Sequence, residues 1–206
     1  FPSTICASIN EELVHGIAKK DRILKNGDIF TIDIGMEWPY ESPKSKVQSP
    51  KSGLYTDTAL TVAIGKIPAK TRELMRITQE SLERAIEVIK PGNTVADIGR
   101  AVEDYVKSQG KYGIVRDLVG HGVGHAVHED PRIPNYYDRN LDYIVLKPGM
   151  VVAIEPMVSL GGWRVTTADD GWTIVMADKS LCAHYEHTII ITKSGNVVAT
   201  RRPSEL

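Results

Sequence analysis

The sequence predicts an α+β fold in which two consecutive helices cover one side of an antiparallel sheet. Three observations carry that prediction. Strand-like alternation marks both ends of the chain, two helical patterns lie side by side in its middle, and Gly, Pro and Asp turns separate the strands. The first strand pattern runs from Asp28 to Gly35, DIFTIDIG, with Phe30, Ile32 and Ile34 on one face. The second, from Leu54 to Gly65, aligns Leu60, Val62 and Ile64, and the two pair as one hairpin. Between them stand Pro39, Pro43 and Pro50 among Ser and Lys, which a central strand or helix does not tolerate. Residues from about 37 to 53 therefore read as a surface loop inserted at the hairpin tip. Leu74, Ile77, Leu82, Ala85, Ile86 and Ile89 then fall at helical spacing, and Pro91-Gly92 ends the run. Thr94-x-x-Asp97 has the form of a capping box and opens a second helix, which Gly110 stops. GIVRDLVG, LKPGMVVAIEPMV, GGWRV, DGWTIVMAD and HYEHTIIIT return to strands.

Composition narrows the function classes. The 206 residues make one domain, 1–206, with ample core. Lys plus Arg is 25 against 26 for Asp plus Glu, a balance that gives nucleic acid no basic footprint. No apolar stretch is long enough for a membrane span, and no signal peptide opens the chain. Cys6 and Cys182 make no disulfide framework and fit a reducing cytosol. The chain begins at Phe1 rather than Met, in what reads as a strand, and an N-terminal segment is expected to precede it.

The anomaly is where the acids fall. Asp33 interrupts an apolar strand, Asp57 heads ALTVAIG, Glu155 closes VVAI, and Glu186 precedes His187-Thr188 and three isoleucines. An isolated carboxylate in a half-buried strand costs several kcal/mol, roughly, even after relaxation. Four such acids, with no basic residue inside their strands, need a shared source of positive charge, which divalent metal ions supply. His121 adds a fifth ligand. Gly120, Gly122 and Gly124 around it forbid a stable helix, so His121 and His125 are not a helical zinc pair. HYEH, His184 to His187, is one residue short of the inverted zincin pattern. An oxygen-rich set of this kind suits Mn, Fe, Co or Zn, and its carboxylates can bridge two ions. Hydrolysis of an amide or ester follows as the reaction class.

Seven stretches in order, SINEELVHGI, IDIG, YTDTAL, GHGVGHAVHEDP, LKPGMVVAIEPMV, DGWTIVMADKS and YEHTIIIT, resemble type I methionine aminopeptidases. The likeness runs from about Ser3 to Ile191. It implies the pita-bread fold, a curved antiparallel sheet in two pseudo-twofold halves with helices on its outer face. It implies removal of N-terminal methionine from nascent polypeptides, at the ribosome; the composition adds a cytoplasmic setting with no membrane or nucleic-acid partner, and a monomer is the default. Two divalent ions would be held by Asp33, Asp57, His121, Glu155 and Glu186, with Asp57 and Glu186 bridging. Glu155 also matches the proton acceptor, His128 the residue that steadies the developing oxyanion, and His15 the one beside the scissile amide. Cys6, Trp172 and Phe1 match positions lining the methionine pocket. Read from the residues alone, Trp172 fits a core or hairpin aromatic and Cys6 an inert buried thiol.

This sequence departs from that pattern in several places. The two aspartates stand 23 residues apart instead of flanking a tight hairpin. Val127 occupies a position where an aromatic is common, and His125 one where a basic residue is frequent. The helix pair of the first half is missing, which would leave an apolar sheet face uncovered. Two rivals remain open. One is a Xaa-Pro aminopeptidase or prolidase of the same fold, and the other a pita-bread interaction module without catalysis.

Overall fold

The computed structural model describes residues 1–39 and 53–205; most of the expected insertion lies outside these residues. In chain order the elements are β1 (Cys6–Ile9), β2 (Glu12–Val14), β3 (Ile29–Trp38) and β4 (Leu54–Ala63), followed by helices α1 (Ala69–Val88) and α2 (Val95–Gln109). Then come β5 (Gly113–Ile114), β6 (Gly120–Gly122), β7 (Glu129–Ile133), β8 (Val151–Ile154) and β9 (Met157–Ser159). The chain ends through β10 (Val165–Thr167), β11 (Ile174–Met176), β12 (Cys182–His184), β13 (His187–Ile191) and β14 (Asn196–Val198). The strands form four antiparallel ladders, in the orders β1-β3-β4, β10-β11-β2, β12-β9-β5 and β14-β13-β8-β6-β7. No helix among the described residues is long and apolar enough to cross a membrane.

Both helices form as their patterns require. α1 turns Leu74, Ile77, Leu82, Ala85 and Ile86 onto the core, where they meet Ile98, Val102 and Val106 of α2. The Thr94 hydroxyl accepts from the Asp97 amide, and the Asp97 carboxylate accepts from the Thr94 amide, so two orphan donors at the start of α2 are satisfied. Beneath the helices lie Val152, Ile154, Val158, Ala183, Ile189 and Ile191 of the second-half strands.

The first hairpin differs from its sequence reading in one way. Strand β3 runs on to Trp38 and β4 begins at Leu54, so Glu37 and Trp38 belong to the sheet and not to the loop. The ladder holds because Pro39 follows the last paired residue and takes no place in it. The hairpin's faces agree with the expected absence of first-half helices. Ile29, Thr31, Asp33, Asp57, Ala59 and Thr61 point inward, while the aligned residues Phe30, Ile32, Leu60 and Val62 are only partly buried. Along that outer face exposure grows from Ile34 to Trp38, which is 72% exposed. This is the apolar sheet face that the missing helix pair of the first half leaves uncovered. At the N-terminus, Phe1–Ile5 lie before the first strand and not within it, because pairing with β3 begins only at Cys6.

The two halves of the molecule meet where β2 pairs with β11 and also along β4 and the β12–β13 segment. Along the latter, Ala59 and Glu186 exchange backbone hydrogen bonds, at 3.4 and 3.0 Å. Elsewhere along the seam threonine hydroxyls stand in for a ladder. Thr61 Oγ1 donates to the His184 carbonyl at 2.8 Å and accepts from the His184 amide at 2.9 Å. Thr188 Oγ1 likewise accepts from the Asp57 amide and donates to the Asp57 carbonyl, both at 2.8 Å. Thr58 Oγ1 donates to the Glu186 carbonyl.

Replacing Thr61 with Val keeps the shape but orphans the buried His184 amide, so Thr61→Val is expected to cost about 1–3 kcal/mol. Urea unfolding monitored by circular dichroism measures this. An unchanged midpoint would mean that the seam contributes nothing.

Candidate metal centre

The seam brings the acids together. In the hairpin register Asp33 faces Ala59 and Asp57 faces Gly35, so both carboxylates emerge on the inner face. Opposite them, two neighbouring strands break at the same level. β8 and β9 are interrupted by Glu155-Pro156, and β12 and β13 by Tyr185-Glu186. His187 pairs with Ile154 on one side of this break and His184 with Met157 on the other. Each acid therefore sits at a kink, where a side chain can leave the pleat and turn toward the first hairpin. The Glu155 carbonyl is anchored by Asn135 Nδ2 at 3.0 Å.

His121 lies in β6, sandwiched between β7 and β8. A Cβ on Gly120 would collide with the Ala153 carbonyl and one on Gly122 with the Asp130 carbonyl, so only glycines let the strands close around it. His121 Nδ1 donates to the Gly122 carbonyl at 2.9 Å. That bond fixes the tautomer and leaves Nε2 with a free lone pair, 3.6 Å from Glu155 Oε1. The His128 ring packs edge-on against His121, centroids 4.4 Å apart.

These side chains form overlapping sets. Asp33, Asp57 and Glu186 offer ligand atoms within 4.8 Å of one another, as do His121, Glu155 and Glu186, and as do Asp57, His121 and His128. Glu186 is common to the first two sets and Asp57 to the first and third. Among the described residues no Lys or Arg makes an ion pair with any of the four acids. Burial and the neighbouring Asp57 raise Asp33 to about 7. Burial raises Asp57 too, and burial followed by the charges of the other acids drives Glu155 and Glu186 well above the ordinary carboxylate range. Burial also lowers His121, favouring the neutral, ligating imidazole. A set of oxygens plus one imidazole nitrogen, desolvated and without a counter-ion, fits divalent cations of the Mn, Fe, Co or Zn kind.

A cavity of about 540 Å³ opens over the acids and runs out past Asp117, Leu118 and Arg132. A second, of about 370 Å³, adjoins it and is lined by Phe1, Cys6, His15, Val127, His128 and Trp172, among others. His15 enters this wall on a left-handed backbone, φ 58°, a strained setting for a residue with a Cβ. Trp172 is placed by a turn in which Asp170 accepts from the amides of Trp172 and Thr173. Phe1 packs edge-on against Trp172 at 5.7 Å and tilted against His15 at 6.2 Å. Cys6 pairs with Asp33 across β1 and β3. Burial, then the Asp33 charge, pushes its thiol up to about 12, so it serves as apolar lining and not as a nucleophile. His125 is exposed and stays outside both cavities.

Sequence reasoning passed over one polar neighbour of this centre. His184 is 1% exposed, and its Nε2 lies 3.5 Å from Glu155 Oε2. Its motif, HYEH, had been weighed only as a failed zinc signature. The spacing gave no hint that the ring faces a glutamate 29 positions earlier.

Residues 1–193 match metallopeptidase family M24. Methionine aminopeptidase 1 of Bacillus subtilis is 44% identical over 201 residues, 98% of this chain and 75% of that protein. A crystal structure of the Thermotoga maritima methionine aminopeptidase superposes with a TM-score of 0.84 at 43% identity, covering 96% of this chain and 74% of that one. The prolidase of Pyrococcus furiosus is more distant, with a TM-score of 0.69 at 27% identity over 97% of this chain and 49% of its own. The architecture shared with these aminopeptidases is the expected pita-bread arrangement. Its first half carries no helix among the described residues.

Between pH 4 and 7 Asp33 retains a proton that an ordinary aspartate has lost. A cation must displace that proton, so binding should tighten as pH rises through about 7. Calorimetric titration in buffers of different ionisation enthalpy is expected to show on the order of one more proton released at pH 6 than at pH 8. A proton count that does not change with pH would contradict this.

Proposed function

The chain belongs to metallopeptidase family M24, and we propose that it removes the N-terminal methionine from new proteins and peptides. One observation supports the reading above others. Two ligand sets sharing Glu186 lie buried without a basic partner, beside a cavity walled by Phe1, Cys6, Val127 and Trp172. In this reading Asp33, Asp57, His121, Glu155 and Glu186 would hold two divalent ions. When bound, such ions offset the clustered negative charge, acidify a water and polarise the scissile carbonyl.

The residues of the chain supply the rest. Glu155, whose raised proton affinity suits a base once its carboxyl is ionised, accepts the proton of the attacking water and delivers it toward the departing amine. His128, at the mouth of both cavities, steadies the oxygen that gains charge. His15, kept neutral by burial and by its neighbour His128, is aimed at the amide from the facing wall. The second cavity receives the methionine side chain, which is unbranched and adapts to an irregular apolar wall. The rest of the peptide leaves through the larger cavity. Nascent chains at the ribosome, met by a monomer in the cytosol, are the substrates we infer.

A prolidase-type activity is the rival reading, and its solved representative shares less identity and less of its length with this chain. A peptide panel separates the two. Cleavage of Met-Ala-Ser with Xaa-Pro peptides spared is expected, and the reverse pattern would replace the proposal. A purified, folded protein that takes up no metal would instead point to the non-catalytic module. Glu155→Gln is expected to lower turnover roughly 10²-fold or more while the protein still binds metal. Asp57→Asn should weaken metal binding together with rate, and unchanged stoichiometry by elemental analysis would strike Asp57 from the ligand set.

A further inference from the structure

We propose that His184 is a positioning residue for Glu155, holding one carboxylate oxygen so that the other alone serves the metal centre. Its ring nitrogens have no hydrogen-bond partner among the described residues, although the side chain is almost wholly buried. Burying an imidazole unpaired is costly, a penalty that a leucine of similar volume would avoid. The one acidic oxygen it approaches is Glu155 Oε2, at 3.5 Å. The other oxygen of the same group, Oε1, faces His121 Nε2.

Both partners are rigidly mounted. Thr61 Oγ1 clamps the His184 amide and carbonyl, and Asn135 holds the Glu155 carbonyl. The imidazole therefore approaches Glu155 from a fixed direction across the kink between β8 and β9. No Lys or Arg among the described residues pairs with it. A neutral ring offers one N–H. Given to Oε2, that proton fixes the carboxylate plane and leaves Oε1 turned toward His121. Partners of this kind, one step removed from a metal, typically change affinity or activity 10–100-fold when lost.

This inference rests on the reading of Glu155 as metal ligand and proton acceptor, and the test keeps the two apart. His184→Leu and His184→Met remove the donor, whereas His184→Gln retains one on a side chain of similar reach. Each variant and the parent would be stripped with a chelator, titrated with Mn²⁺ by calorimetry, and assayed on Met-Ala-Ser. The expected result is a 10–100-fold loss of kcat for Leu and Met at unchanged KM. Mn²⁺ affinity should weaken to a similar degree, and Gln should stay within about threefold of the parent in both measurements. Thermal melting identifies any variant that fails to fold, and the second donorless variant then carries the comparison. If the donorless variants match Gln, or Gln is as impaired as they are, His184 only fills space and the proposal is wrong. A parent that neither takes up Mn²⁺ nor cleaves the peptide overturns the underlying reading instead, and with it this one.

Discussion

Asp33, Asp57 and Glu186 hold like charges within 4.8 Å of one another where water is largely withdrawn. At an effective dielectric near 20, each ionised pair at that separation repels by about 3–4 kcal/mol. Among the described residues no guanidinium or ammonium pairs with these acids, and Arg202 eases Glu186 only as the weakest influence upon it. Two remedies exist, taking up protons or taking up cations. The raised carboxylate affinities for protons are the first remedy at work, and the chemistry of a metallopeptidase uses the second. The same crowding that would destabilise an ordinary core thus defines a vessel for divalent charge.

Backbone architecture delivers the crowding with little freedom to relax. The paired kinks at Glu155-Pro156 and Tyr185-Glu186 release two side chains from neighbouring strands at one level. Glycines on either side of His121 let its strand lie close between two others, and its Nδ1 bond to the Gly122 carbonyl commits the opposite nitrogen to the centre. Hydroxyls of Thr58, Thr61 and Thr188 then lock the facing hairpin in register. Carboxylates on such mounts cannot drift apart to ease their repulsion.

Much of this was legible from residue order. Acids set into apolar strands were visible as local violations of pattern, and a violation repeated four times has few explanations. The helices were equally plain, because Leu74 to Ile86 and the Thr94–Asp97 cap interact within a few residues. What stayed hidden depends on partners far along the chain. Thr61 meets His184 across 123 positions, and Thr188 meets Asp57 across 131, so neither threonine looks unusual locally. The outward turn of Phe30 and Ile32 could be expected only from the missing first-half helices and not from the strand itself. Alternation defines two faces of a strand, but burial is decided by what the rest of the molecule lays against them. His15 is a third case, since its left-handed backbone leaves no mark on the sequence.

The seam has one more consequence. Asp33 and Asp57 come from one lobe, while His121, Glu155 and Glu186 come from the other. An ion lodged among them is therefore a clasp between lobes, and its binding energy is also adhesion energy. Loss of the cation would be felt first as a loosening of the join. The lobes would begin to come apart along the Ala59–Glu186 contact, where a pair of backbone bonds and a few hydroxyls join them, while the β2–β11 ladder still ties them at another edge.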